Sequence, residues 1–341
     1  MINNSFENFL IKNLSNKILP KRKKILITGS NGFIGRYIVE AICKVFKKNS
    51  NIVYGIDINN NNFSYNNYKY FKKDLFNLKK QDIPNVNFDY IIHLAGIPSP
   101  VYYKKYPLRT IYLNAELSRE LLEISEKQKS KFIYFSSSEI YGNPSKSFIP
   151  TKENFNGNVS SIGDRSCYDE SKRMGETFSY IYKNNFNLDV KIIRPFNFYG
   201  DFMRYNDERI IPKFFYQSLN GKKITIYSDG KQTRSYCHIF DAVVMILHVI
   251  FKGKKFVYNI GNPKEEVNAE FLAKKILKIT DKKKIKLKRI DYPSNYPSDE
   301  PKRRCPSIKN FTEEFTFKPK INLELGLKIF NEYAKKHFKK S

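Results

Sequence analysis

A tyrosine and a lysine four residues apart, Tyr168 and Lys172, are the residues of this sequence best suited to proton transfer. They lie in RSCYDESKR, where the pattern predicts a helix, so both side chains share one helix face. A lysine ammonium near a phenol stabilises the phenolate and lowers the pKa of the tyrosine, which makes it a usable base near neutral pH. The same spacing follows Tyr65, Tyr68 and Tyr227, so the neighbouring residues must decide.

Hydroxyl and carboxyl groups follow a predicted strand upstream of this pair. KFIYF leads into Ser136, Ser137 and Ser138, and Glu139 comes next. Open α/β sheets bind ligands at the carboxyl ends of their strands, so we expect these side chains beside Tyr168. The alternative is local, with serines that cap a strand end and a glutamate that caps the next turn.

Glycines near the N-terminus indicate a dinucleotide site. Gly29, Gly32 and Gly35 follow the β-rich run ILIT and precede an amphipathic helical pattern that includes Phe33 and Ile34. A tight glycine turn lets the backbone approach a pyrophosphate, which then rests on the helix N-terminus. The strand before and the helix after are the context that such a motif requires.

A carboxylate follows the second predicted strand at the expected distance from these glycines. Asp57 lies 22 residues beyond Gly35. A carboxylate there hydrogen-bonds a ribose 2′-hydroxyl and repels a 2′-phosphate, which favours NAD over NADP. FKKDL (71–75) and FDYIIHLAG (88–96) predict a third and a fourth strand. The alternation of strands and helices predicts a parallel, doubly wound sheet.

The composition argues against several classes of protein. The 341 residues carry a formal net charge of +28, but lysine is spread along the chain, whereas a nucleic-acid binder concentrates basic residues on one face. The sequence has no apolar run long enough for a membrane span and no secretory signal pattern. Its four cysteines are scattered, which predicts neither a zinc site nor disulfides. We therefore expect a cytoplasmic protein that binds no metal, membrane or nucleic acid.

Together these motifs resemble the extended short-chain dehydrogenase/reductase superfamily, whose members modify nucleotide sugars. The matching motifs are TGSNGFIG (28–35), Asp57, HLAG (93–96), SSSEIYG (136–142), YDESK (168–172), RPFNFYG (194–200) and DGKQTRSY (229–236). Three segments are most similar to the UDP-glucuronate decarboxylase family: AGIPSPVYYKKYPLRT (95–110), IGDRSCYDESKRMGET (162–177) and SDEPKRRCPSI (298–308). The chain departs from the usual pattern at Gly96, Ser171 and Asp201.

The resemblance implies NAD as cofactor and a nucleotide diphosphate sugar as substrate. The residues it assigns to the cofactor are Gly29, Gly32, Phe33, Ile34, Gly35, Asp57, Asp74, Leu75, Leu94, Ala95, Tyr168 and Lys172. The residues it assigns to the substrate are Asn197, Arg234 and Arg304. Both arginines would bind phosphate groups, and Arg234 would also reach the sugar carboxylate.

The resemblance also implies catalytic roles. Tyr168 would remove the proton of the sugar 4-hydroxyl while C4 is oxidised, and Lys172 would hold the nicotinamide ribose and lower the tyrosine pKa. Ser137 would hydrogen-bond the same sugar oxygen. Glu139 and Ser138 would lie near C5 and C6, with Glu139 as acid, base or holder of a water.

The organisation implied is α/β, a doubly wound parallel-sheet Rossmann domain with a smaller C-terminal α/β substrate lobe. The first covers residues 23–200 and the second 201–341, with about 236–262 returning to the first. Residues 1–22 match nothing in the resemblance and are interpreted as an appendage. Helices near 107–127 and 167–185 resemble a pair that forms a four-helix bundle in dimeric members, so we expect a homodimer.

Three hypotheses for the function stay open. The leading one is decarboxylation of UDP-glucuronate to UDP-xylose or a 4-keto pentose. A 4-epimerase, a 4,6-dehydratase or a 4-dehydrogenase would share the C4 oxidation and differ afterwards. A non-catalytic NAD-sensing or nucleic-acid-binding protein is the third, and the presence of both Tyr168 and Lys172 argues against it.

Overall fold

The computed structural model describes residues 2–15, 17–61, 63–76, 82–292 and 301–339, so residues 298–300 of the third similar segment lie outside it. The strands are β1 (Lys24–Thr28), β2 (Ile52–Asp57), β3 (Tyr68–Lys72), β4 (Tyr90–His93), β5 (Lys131–Phe135), β6 (Val190–Pro195), β7 (Phe198–Tyr199), β8 (Ile224–Tyr227), β9 (Thr233–Ser235), β10 (Cys237–His238), β11 (Val257–Ile260), β12 (Glu266–Asn268), β13 (Leu287–Ile290) and β14 (Arg303–Arg304).

The α-helices are α1 (Ile2–Asn13), α2 (Phe33–Glu40), α3 (Pro100–Lys105), α4 (Pro107–Ile111), α5 (Leu117–Gln128), α6 (Ser166–Asn185), α7 (Ile210–Leu219), α8 (Ile239–Lys252), α9 (Ala269–Ile279), α10 (Lys309–Thr312) and α11 (Leu323–His337). π-helical turns at Ala41–Val45 and Tyr112–Glu116 continue α2 and α4, and a 3₁₀ turn at Ser138–Tyr141 follows β5. No helix in these described ranges is long and apolar enough to cross a membrane.

A seven-stranded parallel sheet forms the centre of the molecule, with the strand order β11-β6-β5-β4-β1-β2-β3. Its central strands are buried on both faces, which explains their nearly continuous apolar sequences. Ile25, Leu26 and Ile27 of β1 are all fully buried. The doubly wound sheet predicted from the alternation of elements is therefore observed.

The chain returns to this sheet after an excursion. β11 pairs with β6 at one edge of the sheet. The helix that precedes β11 in the chain, α8, is almost wholly buried and packs against the sheet. The C-terminal lobe consists of α7, α9 and α11 around the parallel pair β8 and β13. A three-stranded sheet, β12-β9-β14, lies beside the cleft between the lobe and the large sheet. The division of the chain at residue 200 stays a prediction.

Apolar side chains between residues 6 and 19 of the N-terminal segment, in the part that the structure describes, pack against the core, contrary to the interpretation of residues 1–22 as an appendage. Phe6, Leu10 and Leu14, spaced by four, form an apolar stripe along α1 and its end, and all three are buried. The ring of Phe6 lies 4.8 Å from that of Tyr37 in α2 and 5.0 Å from that of Phe240 in α8. The segment covers the apolar faces of two helices that flank the sheet.

Candidate active site

A cleft of about 1080 Å³ opens at the carboxyl ends of the large sheet, between the sheet and the C-terminal lobe. The glycine turn after β1, the serines after β5 and Asn197 after β6 line its sheet side. Residues of α7, β8, β9 and β14 line its lobe side. Parallel sheets place ligands at this edge, so the fold brings the predicted site residues to one opening.

The glycine turn has no room for side chains. A Cβ at Gly29, where φ is +70°, would lie 2.8 Å from the Ala95 nitrogen. A Cβ at Gly35 would lie 2.3 Å from the Gly29 carbonyl oxygen. Gly32 is the N-cap of α2 and also lines the cleft. The N-terminus of α2 is therefore at the cleft, where a bound phosphate group requires it.

Asp57 lies directly beside this turn. Its carboxylate accepts hydrogen bonds at 2.9 Å from the backbone nitrogen of Asn31 and from both nitrogens of Asn59. Two buried oxygens that face the same cleft, Asn31 Oδ1 and Ser136 Oγ, have no hydrogen-bond partner among the described residues. A bare backbone turn, a carboxylate and unsatisfied polar atoms fit a ligand such as NAD, with Asp57 toward its ribose.

The other residues assigned to the cofactor divide into two groups. Phe33, Ile34 and Leu94 line the cleft, and Ala95 packs on Gly29. Asp74 and Leu75 do not line it. The Asp74 carboxylate contacts the Arg109 guanidinium, and Leu75 is buried in the core beneath β2 and β4. A cofactor contact by either residue stays a prediction.

Tyr168 and Lys172 both face the cleft from α6. Ser137 favours the ionised form of Tyr168 and so opposes the rise in its pKa, and the Tyr168 ring stacks on that of Tyr103 with centroids 5.2 Å apart. Lys172 Nζ donates to the Phe135 carbonyl at 2.7 Å. Both residues are at least 94% buried, so their pKa values depend on burial as well as on neighbouring charges.

Burial changes the titration that the sequence predicted. It raises the pKa of Tyr168, and Ser137 opposes this only partly. The pKa of Lys172 is lowered to about 7, mainly by burial. A lysine that exchanges its proton near neutral pH is a weaker source of positive charge, and the lowering of the Tyr168 pKa by Lys172 stays a prediction.

Glu139 is contacted by two arginines. Arg304 of β14 contacts both of its carboxylate oxygens, and Arg165 contacts one of them from the start of α6. Arg304 is 6% exposed and Arg165 is 4% exposed. Arg304 thus binds a carboxylate of its own chain in this structure, and its assignment to a phosphate stays a prediction. Ser138, also buried, begins the 3₁₀ turn that carries Glu139.

The two remaining substrate residues also line the cleft. Asn197 has a left-handed backbone, with φ +45°, and its Nδ2 donates to the Ser235 carbonyl at 3.0 Å. Arg234 lies next to Arg304 across the β9–β14 register. Arg303 points elsewhere, to Glu266, at 2.6 and 2.8 Å. Their contacts with a substrate stay predictions.

Sequence reasoning missed three residues at this site. Tyr103 stacks on Tyr168, and Arg165 joins Glu139 to Asp169. The four-residue spacing of Arg165 and Asp169 was visible in the sequence, but such pairs are common on exposed helix faces. Only the fold shows that this pair is buried.

Comparisons with known proteins agree with this geometry. Residues 25–261 match the NAD dependent epimerase/dehydratase family. The chain belongs to this family. It is 33% identical over 321 residues to a UDP-glucuronic acid decarboxylase of Arabidopsis thaliana, covering 93% of this chain and 90% of that protein.

Solved structures show the same fold. The UDP-glucose 4-epimerase of Thermotoga maritima, solved with UDP-glucose, has a TM-score of 0.81 at 25% identity, covering 93% of this chain and 100% of the epimerase. A UDP-glucuronic acid 4-epimerase mutant of Bacillus cereus, in complex with UDP-4-deoxy-4-fluoro-glucuronic acid and NAD, has a TM-score of 0.79 at 26% identity, covering 92% of this chain and 99% of the mutant. The α/β fold, the superfamily and NAD as cofactor, predicted from the sequence, are confirmed.

Proposed function

We propose that this NAD-dependent enzyme decarboxylates UDP-glucuronate to UDP-xylose or to the corresponding 4-keto pentose. The observation that carries the proposal is the pair of buried guanidinium groups, of Arg165 and Arg304, that meet at Glu139. They hold the Glu139 carboxylate beside Tyr168, at the end of the cleft where we place C5 and C6 of the sugar. The similarity to UDP-glucuronic acid decarboxylases supports the same substrate.

The residues of the cleft divide the chemistry among them. Tyr168 removes the proton of the sugar 4-hydroxyl, and Ser137, which lines the cleft with Tyr168, positions the same oxygen. Lys172, whose pKa of about 7 lets it gain or lose a proton, holds the nicotinamide ribose. NAD, when bound, supplies a hydride acceptor at C4 and later the donor for the reverse transfer.

Loss of carbon dioxide follows from the C4 ketone. The bond between C5 and C6 breaks, its electrons pass to the ketone oxygen as an enolate, and C5 then takes up one proton. The protein has to hold the carboxylate out of the ring plane and deliver that proton. Glu139 and Ser138, at the end of the cleft where the two guanidinium groups meet, are the residues that we assign to this step.

Incubation with UDP-glucuronate and NAD, followed by proton NMR, tests this function. We expect a UDP-pentose from the wild type and none from Tyr168→Phe. Tyr180→Phe is the matched control, because Tyr180 lies on the same helix and is 60% exposed. Intact UDP-glucuronate in the presence of bound NAD would refute the proposal.

A 4-epimerase acting on UDP-glucuronate is the second candidate. The similarity to the Bacillus cereus UDP-glucuronic acid 4-epimerase favours it. The NMR experiment separates the two, because an epimerase yields UDP-galacturonate and retains C6.

We also propose that the protein is a cytoplasmic homodimer. Leu108 of α4 and Met174 and Ile181 of α6 are exposed, on the helices expected to form a four-helix bundle. Cys43, Cys167, Cys237 and Cys305 are all unpaired, which suits a reducing compartment. Light scattering of Leu108→Glu is expected to show a monomer where the wild type shows a dimer. Equal masses for the two proteins would contradict this interface.

A further inference from the structure

A chain of buried ion pairs begins at the cleft, which Glu139, Arg165 and Arg304 line. It runs from Asp169 to Arg165, then to Glu139, then to Arg304. Arg165 Nε donates to Asp169 Oδ2 at 3.2 Å, and the Arg165 Nη2 contacts Glu139 Oε2. The exposed fractions of the side chains are 5% for Asp169, 4% for Arg165, 7% for Arg304 and 19% for Glu139. Glu139 is therefore the member most open to the cleft.

Arg165 is fixed relative to the catalytic tyrosine. It precedes Tyr168 by three residues, and its carbonyl accepts hydrogen bonds from the backbone nitrogens of Tyr168 at 2.9 Å and Asp169 at 3.0 Å. The guanidinium bridges two carboxylates with different nitrogens, which a lysine ammonium on its longer, flexible stem reproduces poorly. The start of α6 therefore positions Tyr168 and, together with Arg304 of β14, the Glu139 carboxylate.

We propose that Arg165 is a positioning residue that holds Glu139 at the sugar end of the cleft, and that Asp169 holds Arg165. This proposal rests on the function proposed above, because that mechanism assigns to Glu139 a role near C5 and C6 of the sugar. At metal centres, residues that orient the metal ligands lower affinity or activity by about 10- to 100-fold when they are replaced, and we expect the same range for a residue that orients Glu139.

The charge of the cluster gives this arrangement a dependence on pH. When both carboxylates are ionised, their charges cancel those of the two guanidinium groups. Protonation of Asp169 leaves the cluster with one net positive charge, which a sugar carboxylate balances. Burial, and then the neighbouring Glu139, raise the pKa of Asp169 to about 7, against the opposing effect of Arg165 and Arg304. The other titratable groups that interact with Asp169 are Cys167 and Tyr168, on its own helix.

The direction of the pH effect follows from that pKa. Below about pH 7 Asp169 is mostly neutral, and the cluster favours an anionic sugar. As the pH rises through about 7, Asp169 ionises, the net positive charge is lost, and the KM for a carboxylate-bearing sugar rises. Asp169→Asn keeps the shape of the side chain and removes this ionisation.

The experiment compares Arg165→Lys and Asp169→Asn with Arg289→Lys. Arg289 is the matched control, because it forms an ion pair with Glu270 at 2.7 Å on the lobe surface and is 62% exposed. kcat and KM for UDP-glucuronate are measured from about pH 6 to about pH 9, with NAD affinity alongside. We expect Arg165→Lys to lower kcat by about 10- to 100-fold and to keep NAD affinity within about twofold. We expect Asp169→Asn to abolish the rise in KM above neutral pH, and Arg289→Lys to match the wild type.

Wild-type kcat in Arg165→Lys, or an undiminished rise in KM in Asp169→Asn, would overturn the proposal. A crystal structure of Arg165→Lys tests the positioning without turnover. Displacement of the Glu139 carboxylate supports the proposal, and an unmoved carboxylate refutes it. A wild type that leaves UDP-glucuronate unchanged would instead refute the proposed function, and the crystal structure would still decide the role of Arg165.

Discussion

Removal of a single side chain from α1 tests whether the N-terminal segment belongs to the folded core. Leu10 is fully buried against α8 and the turn that continues α2, whereas its neighbour Ile11 is 63% exposed. Leu10→Ala removes buried apolar atoms and leaves a cavity, which costs about 2–5 kcal/mol. Ile11→Ala removes atoms that already contact water, so its effect is expected within about 0.5 kcal/mol.

The assay is urea denaturation followed by circular dichroism, with the three proteins at one concentration. Because domains are stable by only about 5–15 kcal/mol, the Leu10→Ala midpoint is expected to fall clearly below that of Ile11→Ala. Equal midpoints for the two variants would refute the packing of α1. They would restore the interpretation of residues 1–22 as an appendage.

Three further predictions concern the site and its surroundings. Gly35→Ala forces a Cβ to within 2.3 Å of the Gly29 carbonyl oxygen. A strain of about 1–3 kcal/mol in the NAD-binding turn is expected to lower NAD affinity by about 5- to 150-fold in calorimetry, and unchanged affinity would contradict the tight turn. The pKa of Lys172 is lowered from 10.5 to about 7, so the unfolded chain binds more protons than the folded chain between these pH values. The unfolding free energy of the wild type, relative to that of Lys172→Met, is therefore expected to rise with pH across that interval. Parallel plots of unfolding free energy against pH for the two proteins would refute this prediction. Burial raises the pKa of Asp201 from 3.8 to about 7, so the ionised carboxylate at higher pH destabilises the fold. Asp201→Asn should therefore stabilise the protein by about 2 kcal/mol more at about pH 8 than at about pH 5. The substitution Asp281→Asn, at an exposed residue, should show no such difference.

The parts of this account that the sequence predicted depend on local pattern. A strand followed by spaced glycines, or a tyrosine and a lysine on one helix face, can be read from a few neighbouring residues. The family resemblance then assigned roles to residues distant in the chain, such as Asn197 and Arg234, and the fold brings them to the cleft.

The parts that were missed depend on tertiary packing. The contact between Arg304 and Glu139 joins residues 165 positions apart, and no periodicity indicates it. The burial of Leu10 and the other apolar residues of α1 depends on where α8 lies. The titration of Tyr168 and Lys172 was predicted from their mutual charge, but burial has the larger effect, and burial is a property of the fold.

The most direct test of the central claim follows the C6 carbon itself. UDP-glucuronate labelled with ¹³C at C6 is incubated with the wild-type protein and NAD, and the ¹³C NMR spectrum is recorded over time. Decarboxylation predicts transfer of the label from the sugar carboxylate to bicarbonate, with none released by Tyr168→Phe and wild-type release by Tyr180→Phe. Label that stays on the sugar, whether in UDP-glucuronate or in its C4 epimer, would contradict the proposed function.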